Sequence, residues 1–282
     1  ITKDLKIFKT RKIGKMRTRN KMTRWVMKHI KKIESDCRII RYGGGAYYLL
    51  LSVENTVEKN AETIPFDIGV IDPGTNTFAT VYSPNGIVIE VGKNFAKNEL
   101  IPIDKRVDKL KSVRDNVKNG KKIVKNKKRT MRNIRNRNFR LRNKIQNKVR
   151  DMQWKTVNML TNNFKTVVTT TFGVKDMVNG DNRKIGKGTV REMQLLSFDK
   201  FKRKLLDRGA RRGCEIKIVD EEYTSKTCGN CGILGAPDND RMLRCKGCGK
   251  EIKRDVNGAR NIMIKIITEA LKKIMDEMKK RE

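Results

Sequence analysis

Residues 66–91 read FDIGVIDPGTNTFATVYSPNGIVIEV. The run Phe66–Ile71 is apolar and ends at Asp72-Pro73-Gly74, a strong turn signal. Thr77–Tyr82 is a second run, followed by Ser83-Pro84-Asn85-Gly86 and a third run, Ile87–Val91. Asn-Gly between two apolar runs is a short-range hairpin cue. Three consecutive antiparallel strands are therefore expected, and whatever follows must cover the sheet they begin.

Beyond residue 103 the period changes. Val107, Leu110, Val113 and Val117 fit one helix face, and Ile134, Leu141, Ile145, Val149 and Met152 fit another. Thr166–Thr171 reads as the next strand, bounded by Phe172-Gly173. Val190–Leu206 reads as a helix with Leu195, Phe198, Phe201 and Leu205 on one face, ended by Gly209 to Gly213. Glu215–Val219 is a last strand. A stripe of Val256, Ala259, Ile262, Met263, Ile266, Ala270 and Ile274 makes a final helix. Three antiparallel strands followed by alternating helix and strand describe an α/β chain, a mixed sheet with helices on both faces. Towards the N-terminus, residues 55–65 form a polar linker. Arg38–Arg41 and Ala46–Val53 flank Gly43-Gly44-Gly45 as a second hairpin, and residues 1–33 are basic and irregular. The chain opens on Ile1 rather than Met, so a longer N-terminal part is expected.

With 37% apolar and 6% aromatic residues the core is lean; the charge is extreme, 67 Lys and Arg against 31 Asp and Glu, a net +36. Self-repulsion on that scale calls for a polyanionic partner, and nucleic acid is the commonest. No apolar run reaches ~18 residues, and no amphipathic anchor or acylation site is present, so a membrane partner is not expected. Fourteen Lys and Arg and no acid fall between residues 121 and 150. Lys121, Lys122, Lys125, Lys127, Lys128, Arg129, Arg132, Arg135, Arg137, Arg140 and Arg142 are the candidate phosphate contacts. A solvated charged face is the plainer reading of a short run, but this run is long and has no counter-charge.

Cys228-Gly-Asn-Cys231-Gly232 and Cys245-Lys-Gly-Cys248-Gly249 are two C-x-x-C-G knuckles, 13 residues apart. Two-residue spacing lets both thiolates of a knuckle bind one ion, and the glycine allows the positive φ of a tight turn. Four thiolates in a tetrahedron suit one structural Zn²⁺ and leave no open position. Such clustering in a long basic chain fits a reducing compartment, not a disulfide framework. Cys37 and Cys214 read as buried thiols.

Acids are scarce, so those at strand ends stand out: Asp72 leaves the first strand, Glu221 and Glu222 leave the last, and Asp255 opens the final helix. Open α/β sheets place their ligand crevice at such strand ends. Carboxylates gathered there can hold divalent ions for phosphodiester hydrolysis. Each alone would read as a turn or cap residue.

Ile71-Asp72-Pro73-Gly74, Tyr223-Thr-Ser-Lys-Thr-Cys228-x-x-Cys231, the second knuckle and Arg254-Asp255-x-Asn257-Gly-Ala-Arg-Asn261-Ile262 occur in this order. Together they resemble the RuvC-like nuclease half of TnpB and its eukaryotic and viral relatives, the Fanzor proteins. These are similar to the nuclease lobe of type V CRISPR effectors. The resemblance spans about residues 35–265 and implies an RNase H-like (RuvC-like) fold with a basic helical insertion and a four-cysteine zinc ribbon. It implies an RNA-guided DNA endonuclease associated with a transposable element, using two Mg²⁺ ions and one structural Zn²⁺, with guide RNA and target DNA as partners. On this resemblance residues 1–58 are a β-rich wedge-domain remnant. The RuvC-like parts are 66–98, 161–222 and 251–282, interrupted by the basic insertion at 99–160 and the ribbon at 223–250. A compartment within the cell follows: nucleus for a Fanzor, cytoplasm or nucleoid for a prokaryotic TnpB. A monomer is the favoured state.

One position departs from the common pattern. Where TnpB proteins place their middle acid, at the end of the fourth strand, this chain has Thr170, a poor Mg²⁺ ligand. A rearranged branch carries the acid in an E-x-Y-T-S-K-T-C segment, which Glu221–Cys228 matches. The resemblance thus assigns Asp72, Glu221 and Asp255 as the catalytic, Mg²⁺-holding residues. Glu222 is the fallback, because neighbours on a strand point to opposite faces. The competing function is a guided nucleic-acid-binding protein that does not cut. A zinc-ribbon protein bound structurally to RNA would leave the contexts of Asp72 and Asp255 unexplained.

Overall fold

The computed structural model describes residues 37–41, 47–50, 64–171, 185–220, 226–235 and 241–279. The chain separates into two compact units, Ile1–Thr56 and Val57–Glu282. In the first, β1 (Arg38–Arg41) and β2 (Tyr47–Leu50) pair antiparallel, with Arg38 opposite Leu50, as the flanked glycines predict. Cys37 is exposed, not buried as its isolation suggested.

The second unit is built on five strands: β3 (Phe66–Pro73), β4 (Ala79–Tyr82), β5 (Val88–Val91), β6 (Phe164–Thr170) and β7 (Glu215–Val219), in spatial order β5-β4-β3-β6-β7. β3 pairs antiparallel with β4, and β4 with β5, whereas β6 joins β3 and β7 in parallel. The sheet is therefore mixed. The hairpin cue holds: Gly86 stands at φ +80 and donates its N–H to Ser83 O at 3.0 Å. Parallel strands need a crossover, and α1 (Ile101–Lys118) and α2 (Lys127–Asn163) make it between β5 and β6.

Helices cover both faces, so Val70 and Ile71, adjacent in β3, are both wholly buried. On one face Ile71, Phe78, Val81 and Val167 pack with Leu160 of α2 and with Phe198, Phe201 and Leu205 of α4 (Phe198–Arg212). On the other, Val70 and Val168 pack with Ile262 and Met263 of α5 (Arg254–Lys279), joined by Ile68, Tyr82 and Val219. Gly69 lets β6 close on β3, because a Cβ there would lie 2.8 Å from the Phe164 ring.

The helix expected over 190–206 is two: α3 (Lys187–Leu196) and α4, broken at Ser197, which sits left-handed at φ 52 and ψ 58. The buried Gln153 of α2 supports the break, its Nε2 donating to Leu196 O at 2.7 Å and Ser197 O at 3.2 Å while Lys204 Nζ donates to its Oε1 at 2.7 Å. The stop expected over Gly209 to Gly213 holds: α4 ends at Arg212 and Gly213 follows in the left-handed region at φ 71, while Gly209 is where the helix presses on β7, a Cβ there meeting Ile216 Cγ1 at 2.5 Å. Arg191 ties α3 to α1 through Asp104, at 2.5 Å, and Asp108. The apolar stripe of α5 is buried only as far as Met263, with Ile266 half-buried; Ala270 and Ile274 are exposed. No helix among the described residues is long and apolar enough to cross a membrane.

Candidate ion site and thiolate cluster

Strand alternation puts Asp72 on the same face of β3 as Ile68 and Val70, the face covered by α5. It belongs to one rung across the sheet. Thr80 pairs with both Asp72 and Glu90, while Thr169 pairs with Ile71, so Thr170 stands abreast of Asp72; Thr170 in turn pairs with Val219. Thr170, where the resemblance expects an acid, is thus beside Asp72, only 2% exposed.

α5 meets this rung with its first turn. A Cβ on Gly258 would lie 2.4 Å from Asp72 Oδ2, so only glycine lets the carboxylate seat against the helix. Asp255 lies three residues earlier on α5, and residues three apart share a helix face. Its carboxylate accepts from Arg241 Nη2 at 2.8 Å and lines a cleft of about 180 Å³ with Asn76, Thr77, Glu90 and Lys93. Glu90 is held there by Lys253 Nζ at 3.3 Å. Asp72 is thus seated against the first turn of α5, three residues along the helix from Asp255. Carboxylate oxygens are the donors that a hard divalent cation such as Mg²⁺ takes. Glu221 and Glu222 lie outside the described residues. The chain leading to them is held at the same helix, since Lys265 Nζ donates to Asp220 O at 3.2 Å.

The four knuckle thiols converge, with all four Sγ atoms within 4.8 Å of one another. Cys228 and Cys248 are 3.8 Å apart and Cys231 and Cys245 3.4 Å. A tetrahedron with ~2.3 Å zinc–sulfur arms has edges of ~3.8 Å, so this donor set fits Zn²⁺. The knuckles repeat one geometry. Gly232 at φ +78 donates to Cys228 O, and Gly249 at φ +70 donates to Cys245 O, both at 2.9 Å. The Asn230 backbone N–H lowers the Cys228 thiol and the Lys250 N–H lowers Cys248 to about 6, whereas at Cys231 the Ile233 N–H is outweighed by the neighbouring thiols, which push it up to about 12, so the proton is shed first at Cys228 and Cys248. A short antiparallel hairpin, β8 (Met242–Arg244) with β9 (Glu251–Lys253), brackets the second knuckle.

Two asparagines of the Arg254–Ile262 motif pin the cluster to the helix that carries Asp255. Asn257, wholly buried, accepts from Gly229 N at 2.9 Å and donates to Thr227 O at 2.7 Å, and Asn261 Nδ2 donates to Thr227 O at 2.6 Å. The motif Asp255-x-Asn257-Gly258-Ala-Arg-Asn261 is thus one helix start with a carboxylate for the cleft, a gap for Asp72, and two amides one turn apart gripping the first knuckle. The sequence alone gave these asparagines no role, and their i, i+4 spacing was the available signal. Thr80, Glu90 and Arg241 had none, because strand register brings in the first two and the hairpin brings in the third.

All eleven candidate phosphate contacts from Lys121 to Arg142 are exposed, and among the described residues none is paired with a carboxylate. Arg132, Arg135 and Arg142 line a groove of about 550 Å³ between α1 and α2 with Lys111, Arg114 and Lys128, floored by Met131, Ile134 and Phe139.

Residues 198–262 match the family model described as Cas12f1-like, TNB domain. That segment holds α4, β7, both knuckles and the first turns of α5. A TnpB-like protein, L79, of Acanthamoeba polyphaga mimivirus is 32% identical over 198 residues, which is 68% of this chain and 36% of that one. The chain belongs to the TnpB family. Within that family, the putative RNA-guided DNA endonuclease InsQ of Escherichia coli (strain K12) is 26% identical over 266 residues, 89% of this chain and 60% of that protein. The CRISPR-associated endodeoxyribonuclease Cas12f1 of Sulfoacidibacillus thermotolerans is 31% identical over 108 residues, 36% of this chain and 24% of that one. This TnpB-family chain spans about a third of the length of its mimivirus relative.

Proposed function

We propose that this chain is the nuclease part of an RNA-guided DNA endonuclease of a transposable element, RNase H-like in fold and using a RuvC-like ion site. The observation that carries the reading is the seating of the Asp72 carboxylate against Gly258, one turn from Asp255. Asp72, Asp255 and Glu221 would hold two Mg²⁺ ions, which when bound supply an activated water and stabilise the leaving oxygen. The protein's own contribution is positional. β3 and α5 fix two carboxylates from distant parts of the chain, and Arg241 sets a guanidinium beside Asp255, where phosphate charge would gather. The four cysteines would hold one structural Zn²⁺. Asn257 and Asn261 then make that ribbon a brace for the helix that carries Asp255.

The exposed cations of α2 and the segment before it would track RNA or an RNA–DNA duplex through its phosphates, base pairing with the guide supplying sequence. InsQ is named as a putative RNA-guided DNA endonuclease, and family membership brings that reading to this chain.

A second reading has its own observation: Thr170, abreast of Asp72, offers a hydroxyl where a carboxylate would complete the rung. On that reading the protein is guided to nucleic acid and does not cut. The experiment is purification with bound RNA, sequencing of that RNA, and a Mg²⁺-dependent cleavage assay on matching DNA. Asp72→Ala and Asp255→Ala should each abolish cutting and keep RNA. RNA recovery without cleavage by the parent protein supports the binder.

A further inference from the structure

Thr80 is the direct cross-strand partner of Asp72. Such partners stand on one face with Cβ atoms ~4.5–5.5 Å apart. That face lies under α5, because Val70 and Tyr82, of the same parity, pack with Ile262 and Met263. Thr80 is 0% exposed, yet its Oγ1 has no hydrogen-bond partner among the described residues. Its other neighbour on the rung, Glu90, has both carboxylate oxygens at 3.3 Å from Lys253 Nζ. Burying a hydroxyl with nothing to bond is unfavourable, and valine, of the same shape and better suited to a strand, would avoid the cost. An orphaned hydroxyl beside the carboxylate that carries the ion reading is a feature without a structural return.

We infer that Thr80 is a positioning residue of the ion site, its hydroxyl bonding a water ligand of the divalent cation that Asp72 holds. The inference rests on the ion-site reading above and adds to it an uncharged member on β4. Mg²⁺ sheds water reluctantly and keeps several water ligands in protein sites. Groups that orient such ligands without touching the ion are worth ~10–100-fold in metal affinity. A buried hydroxyl on a rigid strand, with rotation as its single freedom, is suited to that task.

The test is a calorimetric Mn²⁺ titration of the whole chain in Mg²⁺-free buffer, with thermal melting in the same buffer. Thr80→Val should melt at or above the parent without divalent cation, because the orphan is gone, and should bind Mn²⁺ ~10–100-fold more weakly. Thr80→Ser, which keeps the hydroxyl, should bind as the parent does. Thr80→Ala repeats the affinity reading should valine strain the packing. Parent-like Mn²⁺ affinity in Thr80→Val or Thr80→Ala overturns the inference. Asp72→Asn separates it from the reading beneath. If Asp72→Asn loses Mn²⁺ and the Thr80 variants do not, only the Thr80 role fails. If Asp72→Asn binds as the parent does, the ion site itself fails and takes Thr80 with it.

Discussion

Gly258→Ala puts a methyl group where the Asp72 carboxylate now sits. The added carbon would lie 2.4 Å from Oδ2, and ordinary contact begins at 3.4 Å, so the oxygen must retreat by about 1 Å. A carboxylate is the far end of a rotatable side chain and can yield without moving the backbone, so the fold should tolerate the change. Alanine inside a helix is favoured over glycine by ~0.5–1 kcal/mol, which in a domain of this size corresponds to a melting temperature ~1–4 °C higher. The chemistry should not tolerate it. A ~1 Å misplacement of a positioned group can cost ~10²-fold in rate, about 2.7 kcal/mol of transition-state stabilisation. The assay is single-turnover cleavage of a guide-matched DNA at saturating Mg²⁺, paired with thermal melting. Parent-rate cutting by Gly258→Ala would mean that Asp72 acts from somewhere other than its seat on α5, or not at all. A large drop in melting temperature would refute the other half, by showing that the helix yields and not the carboxylate.

Asn257→Ala takes from Gly229 N its side-chain acceptor and from Thr227 O one of two amide donors, and should cost ~1–3 kcal/mol in a denaturant melt. It should also release zinc to a colorimetric chelator faster than the parent. Changing Arg132, Arg135 and Arg142 to Gln together should flatten the plot of log affinity against log salt by ~0.7 for each phosphate no longer neutralised on single strands, or ~0.9 on duplex DNA; an unchanged slope means the face is merely solvated. Burial pushes the Cys214 thiol up to about 11 from 9.0. The folded state then keeps its proton after the unfolded chain has released it, so this stabilising contribution is whole below pH 9 and is lost as pH rises towards 11. Urea melts at pH 8 and 10.5 should show a steeper loss for the parent than for Cys214→Ala, and equal losses would contradict the assignment.

Local pattern made most of the architecture readable. Strands Phe66–Pro73, Ala79–Tyr82 and Val88–Val91 follow from two turn signals and alternation, and the crossover from a change of period. The thiolate cluster follows from spacing alone, down to the positive φ of Gly232 and Gly249. What escaped depends on contacts distant in sequence. The break at Ser197 is stabilised by Gln153, some 44 residues earlier, and no local signal marks a serine in the left-handed region. Gly213 does cap α4 as the sequence suggests, but the packing of Gly209 against Ile216 cannot be read from composition. The site divides the same way. Asp72 and Asp255 stood out as acids at element ends in a basic chain, but the gap at Gly258 and the unbonded hydroxyl of Thr80 exist only once β3, β4 and α5 are stacked. Glu221, which the family resemblance supplied, lies outside the described residues.

The claim on which the rest depends is that carboxylates from separate parts of the chain hold divalent ions at one centre under the first turn of α5. Anomalous scattering from Mn²⁺-soaked crystals of the protein tests it most directly. Manganese should be bound to both Asp72 and Asp255, with the Glu221 carboxylate among its ligands. Manganese bound away from Asp72, or bound there with Glu221 remote, would contradict it.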